Sequence, residues 1–151
     1  MKLPPAPQAR SPFWWFWERF TDLHTTVLKL SRGRIGARYN SAPIVLIESV
    51  GRKSGKRRSH PLICREDGDN LLIVASKGGI DHHPAWYLNL KAHPETTAYW
   101  RGEKRQVRAR DASDAERERL WPMMVEIHRP YASYQRRTER QIPIVVLEPA
   151  G

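Results

Sequence analysis

A chain of 151 residues is of single-domain size and long enough to bury a real core. Lys and Arg number 26 against 16 Asp and Glu, a formal charge of +10, which favours an anionic partner: nucleic acid, an acidic membrane surface or a polyanionic small molecule. The single cysteine, Cys64, excludes an internal disulfide and a cysteine-rich metal site and fits a reducing cytoplasm; its apolar surroundings read as those of a buried, inert thiol.

Residues 1–10 are Pro-rich and read as a disordered tail. Residues 11–33 read as a helix: Ser11 and Pro12 suit N-cap and N1, and Phe13, Phe16, Phe20, Leu23, Val27 and Leu30 recur at helical spacing before Gly33. Trp14, Trp15 and Trp17 make its first turns aromatic nearly all round. Glu18 and Arg19 interrupt any signal-peptide core, and the apolar run is too short to span a bilayer. Two readings stay open. The helix docks on the core, or its aromatic end sits in a membrane interface with Arg19, Lys29, Arg32 and Arg34 toward anionic lipid. Residues 34–151 form the remaining domain.

That domain begins as a β meander, with strands over 44–48, 58–65 and 71–75 and a turn at Glu66-Asp67-Gly68-Asp69. Pro61 suits an edge strand or a bulge. Between the first two strands Arg52, Lys53, Lys56, Arg57 and Arg58 crowd into one turn with Gly51, Ser54, Gly55 and Ser59. Such a turn suits phosphate or several carboxylates held together; a solvated basic hairpin tip is the plainer reading. A second glycine-bearing turn, Ala75-Ser76-Lys77-Gly78-Gly79, follows the third strand.

A helix comes next, capped by Asp81 or His83, with Pro84 in its first turn and its end near His93-Pro94. Trp86, Tyr87 and Leu90 recur along it, and Asn89 lies on an adjoining face. His82 and His83 are adjacent and lack a carboxylate cluster, so capping outranks a metal role. A hairpin follows, 96–100 and 104–110, whose second strand alternates Val107 and Ala109 against Arg108 and Arg110. Ser113-Asp114-Ala115-Glu116 is a capping box that opens a helix, and Pro122 is expected to kink or restart it. The stretch 128–134 is polar and aromatic with no clear period, and 144–147 reads as a final strand.

Four motifs in this order, G-R-K-S-G at 51–55, A-S-K-G-G at 75–79, H-P-A-W-Y-L-N-L-K-A-H-P at 83–94 and Y-x-x-Y with I-P-I-V-V at the end, resemble the deazaflavin (F420)-dependent nitroreductase family over residues 44–149. The resemblance implies a mainly β fold with flanking helices, a split β-barrel of the FMN-binding-like type with about six antiparallel strands. It implies an oxidoreductase that moves hydride from reduced coenzyme F420 to a quinone, nitroaromatic or activated-alkene (enone) acceptor. The coenzyme resembles a flavin whose tail carries a phosphodiester and a lactyl-oligoglutamate chain. By this resemblance Arg52, Lys53, Ser54 and Arg58 grip the tail, and Lys56 and Arg57 reach its outer carboxylates. Ser76, Lys77 and Gly78 lie along the ring and phosphate; Pro61 and Leu62 support the ring; Trp86, Tyr87 and Asn89 close the pocket. Ile63, His128, Tyr131 and Tyr134 face the acceptor, and Ser76 and Tyr134 are the catalytic candidates. For the two tyrosines, packing over the barrel mouth is an equal alternative. FMN ranks second as cofactor, and no metal is implied.

His128 and Ile63 depart from the prodrug-activating branch, which has tyrosine and an aromatic residue there, so the acceptor side differs. Two other classes stay open: a membrane-associated protein that binds the deazaflavin without turnover, and a nucleic-acid-binding module, which ranks last because the basic residues cluster in one turn rather than along a groove. The expected place is the cytoplasm, with a peripheral position at the inner face of the membrane if the aromatic helix meets lipid.

Overall fold

The structure, a computed structural model, describes residues 26, 27, 29–31, 38, 39 and 42–150. The elements run β1 (Arg38–Tyr39), β2 (Ala42–Val50), β3 (Arg57–Ile63), β4 (Arg65–Asp67), β5 (Asn70–Val74), α1 (Ala85–Ala92), β6 (Glu95–Trp100), β7 (Glu103–Asp111), α2 (Asp114–Ile127), α3 (Pro130–Arg137) and β8 (Ile144–Pro149). A 3-10 turn, Lys77–Gly79, lies between β5 and α1.

Every ladder is antiparallel, in the order β1-β2-β6-β7-β8-β5-β4, with β3 also on β2. β3 pairs β2 from Ile44↔Ile63 to Val50↔Arg57, and β4 pairs β5. Only Cys64 separates β3 from β4, and its N–H donates to the Pro43 carbonyl at 2.9 Å. One bent strand therefore leaves β2 and joins β5. Among the described residues the hydrogen-bonded sheet does not close on itself; the chain at Cys64 bridges the gap. This is the split barrel with flanking helices that the motifs imply. With β3 and β4 taken as one strand and the two-residue β1 set aside, the strand number also agrees. Pro61 stands opposite Leu46 on β3, whose ladder runs to β2 alone among the described residues, where a residue without an N–H is tolerated.

Val45, Ile47, Leu71, Ile73, Ala98, Trp100, Val107, Val145 and Leu147 fill the barrel, covered by Trp86, Tyr87 and Leu90 of α1. The alternate residues Leu72, Val74, Ile144 and Val146 pack outward on Leu120 and Met124 of α2, Tyr131 of α3, and Ile142. β5 and β8 are thus buried on both faces, which explains their continuous apolar runs.

Two expectations need correction. α2 opens with the capping box, Ser113 N donating to Glu116 Oε1 at 3.0 Å and Glu116 N to Ser113 Oγ at 3.2 Å. Of the two outcomes expected at Pro122, a kink or a restart, the restart does not occur: the helix continues through it as one element. Leu120 and Met124, both fully buried around the proline, hold it by packing. The stretch after His128 is helical, with Pro130 in the first turn of α3.

Among the described residues no helix is long and apolar enough to cross a membrane, and no cluster of metal-ligating side chains occurs. Thr26, Val27, Lys29 and Leu30 are helical, and Lys29 Nζ lies 3.3 Å from Glu48 Oε1 on β2. The 1–10 tail and the rest of the 11–33 helix lie outside the described residues.

Candidate active site

The basic turn hangs on the last β2–β3 pair, Val50↔Arg57. Gly51 N donates to Lys56 O and Gly55 N to Gly51 O, both at 2.8 Å. Gly55 takes φ 70°, a left-handed conformation that favours glycine. Ser54 Oγ accepts from Lys56 N at 3.2 Å. Among the described residues no ion pair engages Lys53, Lys56 or Arg58, all exposed; Arg57 stands 3.8 Å from Glu48.

Arg52 is different. Its backbone N–H and its Nη1 both donate to Asn89 Oδ1, at 3.2 and 3.0 Å. Asn89 is buried in α1, and its Nδ2 lies 3.5 Å from Ser49 Oγ, which lies 2.8 Å from His60 Nε2. Burial, aided by the Arg58 charge, lowers the His60 pKa to about 4, so the imidazole is neutral at pH 7. Asn89 therefore fastens the turn from below. Ser49 and His60 belong to this network, yet no motif names them. The available signal is parity: Ser49 continues the inward series Val45, Ile47, so a polar side chain there needs a buried partner.

The second turn is a strained one. Lys77, Gly78 and Gly79 take φ of 45°, 64° and 78° in succession. A Cβ on Gly79 would lie 2.5 Å from the carbonyl oxygen of Tyr134 and 2.7 Å from its Cα. Only glycine permits this contact, which seats the turn directly on α3. Ser76 is buried, Gly78 half-buried and Lys77 exposed.

α1 starts later than the sequence implies. Pro84 itself is its N-cap, with no side-chain cap; Asp81 bonds His82, and His83 Nδ1 lies 3.2 Å from Arg140 Nη1. Tyr87 Oη donates to both Asp111 oxygens at 3.0 Å, and Lys91 Nζ sits 2.8 Å from Oδ2. Burial and the Asp111 carboxylate raise the Tyr87 pKa. Trp86 packs beside it, ring centroids 6.3 Å apart. Leu62 leans on the barrel core, and Pro61 is half-buried beside it.

Tyr131 and Tyr134, one turn apart on α3, meet edge to face with centroids 6.2 Å apart. His128 lies 4.7 Å from the first ring and 6.0 Å from the second. Ile63 and Tyr134 pack against the cluster that holds Tyr131. His128, the C-cap of α2, and Tyr131 and Tyr134 of α3 thus form one aromatic wall, and Ile63 of β3 packs on the same apolar cluster. Tyr131 is only 5% exposed and makes the back of the wall; Tyr134 and His128 are half-buried and reach its surface. Burial lowers the His128 pKa and raises that of Tyr131. Arg108 and Arg110 do not join the basic turn: Arg108 pairs with Glu95, and Arg110 with Glu116 and Glu148.

The profile of the F420H(2)-dependent quinone reductase family matches residues 20–149. The chain belongs to this family. An F420H(2)-dependent quinone reductase of Mycobacterium tuberculosis is 40% identical over 129 residues, which are 83% of this chain and 87% of that protein. A solved F420-H2 dependent reductase is 42% identical, with TM-score 0.65, and covers 70% of this chain and 94% of its own. A solved chain described as a domain-swapped dimer is 38% identical, with TM-score 0.67, over 91% of this chain and all of that one, 100%. Membership makes the protein an oxidoreductase that uses coenzyme F420, and makes a quinone its acceptor class.

Proposed function

We propose that this quinone reductase holds the anionic tail of coenzyme F420 in the 51–58 turn and its acceptor against the Ile63–His128–Tyr134 wall. The observation that carries the reading is the set of exposed cations Lys53, Lys56 and Arg58, which have no carboxylate partner among the described residues in a turn braced by Asn89. Cations without internal partners, on a backbone fixed from below, suit a ligand with several negative charges better than a single phosphate. That chemistry fits a phosphodiester with an oligoglutamate chain and ranks FMN second.

Arg52, Lys53, Ser54, Lys56, Arg57 and Arg58 would hold the tail. Ser76, Lys77 and Gly78 would lie along the ring, with Pro61, Leu62 and Trp86 as its apolar support. Tyr87 and Asn89 act differently, through Asp111 and Arg52, and shape the pocket from behind. The bound coenzyme, when reduced, supplies the hydride. Tyr134 would orient the acceptor and place its hydroxyl where a proton is needed; Tyr131 sets its position. Nitroaromatics and enones share the electrophilic character that this wall would accept. The aromatic segment 11–33 would bring the enzyme to an anionic membrane surface, where apolar quinones dissolve, and liposome flotation with and without residues 1–20 tests that arm. For the site itself the test is a tryptophan-quenching titration with F420, with its tail-less deazaflavin, and with FMN. The reading expects the full coenzyme to bind tightest; equal affinity for all three removes the tail site.

A further inference from the structure

The strained turn between β5 and α1 is gripped at both ends by one side chain. Arg140, in the connection from α3 to β8, donates from Nη2 to Ser76 O at 2.8 Å, from Nη1 to Ala75 O at 3.3 Å, and from Nε to Ile80 O at 2.9 Å. Its Nη1 also faces His83 Nδ1 at 3.2 Å. Among the described residues Arg140 forms no ion pair with a carboxylate. Its fork is turned onto the His83 ring nitrogen and onto backbone carbonyls that bracket Lys77, Gly78 and Gly79. A run of three left-handed residues that includes a lysine persists only where its surroundings over-determine it.

The clamp is itself braced. Gln135 of α3 donates through Nε2 to Arg140 O at 2.8 Å and accepts from Ile142 N at 2.9 Å. Arg117 of α2 reaches the Ile142 carbonyl and Gln135 Oε1. On the far side Gly79 abuts the Tyr134 backbone, and Arg137 Nη1 lies 3.4 Å from Gly78 O. The turn and α3 are consequently one mechanical unit joined through Arg140.

We infer that Arg140 is a positioning residue that fixes the Ser76–Gly78 turn against α3, and so sets the separation between the coenzyme's ring and an acceptor lying on Tyr134. This rests on the reading of that turn as the ring-side wall. The basic turn that would hold the tail is fastened separately, by Asn89, so loss of the clamp should disturb hydride transfer far more than coenzyme affinity. A small error in reacting distance has a large effect on rate.

The test compares Arg140→Ala, Arg140→Lys and wild type in three measurements. Backbone hydrogen exchange of the coenzyme-free protein should quicken about tenfold or more in residues 76–80 of the alanine variant, while β5 and β8 keep their protection. Coenzyme F420 affinity, read by tryptophan quenching, should change by about threefold or less. Single-turnover reduction of a menaquinone analogue should slow about thirtyfold or more, recover in part with millimolar guanidinium, and be intermediate in the lysine variant, whose ammonium lacks the fork. Wild-type exchange and transfer rates in Arg140→Ala would overturn the inference. So would protection lost equally across β5 and β8, which would make Arg140 a stabiliser of the whole fold; Arg140→Lys then gives the same comparison in a folded protein. Failure of the underlying reading looks different: wild-type protein would not quench with coenzyme F420, while the exchange experiment would still report the clamp.

Discussion

Asn89 and Arg52 lie 37 residues apart and are joined twice, backbone and guanidinium of the arginine meeting one amide oxygen. Both carry motif positions that resemblance assigns to the coenzyme. In the structure one holds the other. Asn89 is buried, and its side chain fixes the Arg52 turn from below.

Asn89→Ala should therefore loosen the turn and also strip Ser49 and His60 of their neighbour. Stability should fall by about 1–3 kcal/mol, the usual result of leaving buried polar groups unpaired, and coenzyme F420 affinity by about tenfold. Urea unfolding and quenching titration measure the two. An affinity equal to wild type in the folded variant would show that the turn keeps its aim without Asn89.

Lys53→Ala removes an exposed cation with no ion-pair partner among the described residues, so the fold should be untouched. Coenzyme binding should weaken by about tenfold. The deficit should shrink as salt is raised, and vanish with the tail-less deazaflavin. A deficit that persists with that compound would place Lys53 at the ring.

His60 supplies a pH dependence of known sign. Folded His60 binds its proton near pH 4, and the unfolded chain near 6.5. Between those values the unfolded state carries more protons, so stability is full above about pH 6.5 and is lost as pH falls toward 4. A difference of this size is worth about 3 kcal/mol. His83 and His128, also lowered by burial, act in the same direction; Glu116, lowered to about 2 by Arg110, acts only below its ordinary 4.5. Urea midpoints at pH 7.5 and 4.5 should differ less in His60→Gln than in wild type; an unchanged difference would assign the pH effect to the other histidines.

The succession of elements along the chain was legible because apolar runs, glycine turns and the Ser113 capping box are local signals. The site was legible in outline for a different reason, since its motifs resemble a family. What escaped is non-local. Ser49 and His60 meet across a ladder, and Arg140 reaches back 60 residues to Ile80 with nothing in its own neighbourhood to suggest it. α3 hides because it has only eight residues and one buried side chain, Tyr131, too few to show a period. Pro122 does not restart α2 because the burial of Leu120 and Met124 outweighs a missing hydrogen bond.

Tyr134→Phe keeps ring volume and removes the hydroxyl. A hydroxyl that serves the acceptor should make this change slow quinone reduction by about tenfold to a thousandfold, with coenzyme affinity unchanged. Tyr134→Ala should be worse, because the wall loses its outer face. A wild-type rate in the phenylalanine variant would leave Tyr134 a packing role alone.

Hydride passage from reduced F420 to a quinone by this chain can be followed directly. The direct measurement is a single turnover: stoichiometric reduced coenzyme and protein are mixed with a menaquinone analogue, and the oxidised deazaflavin absorbance is followed. The absorbance should return in full with wild type, slowly with Lys53→Ala at low coenzyme, and slowly at every coenzyme concentration with Tyr134→Phe. Return no faster than in buffer without protein, with the coenzyme shown to be bound, would contradict hydride passage by this chain.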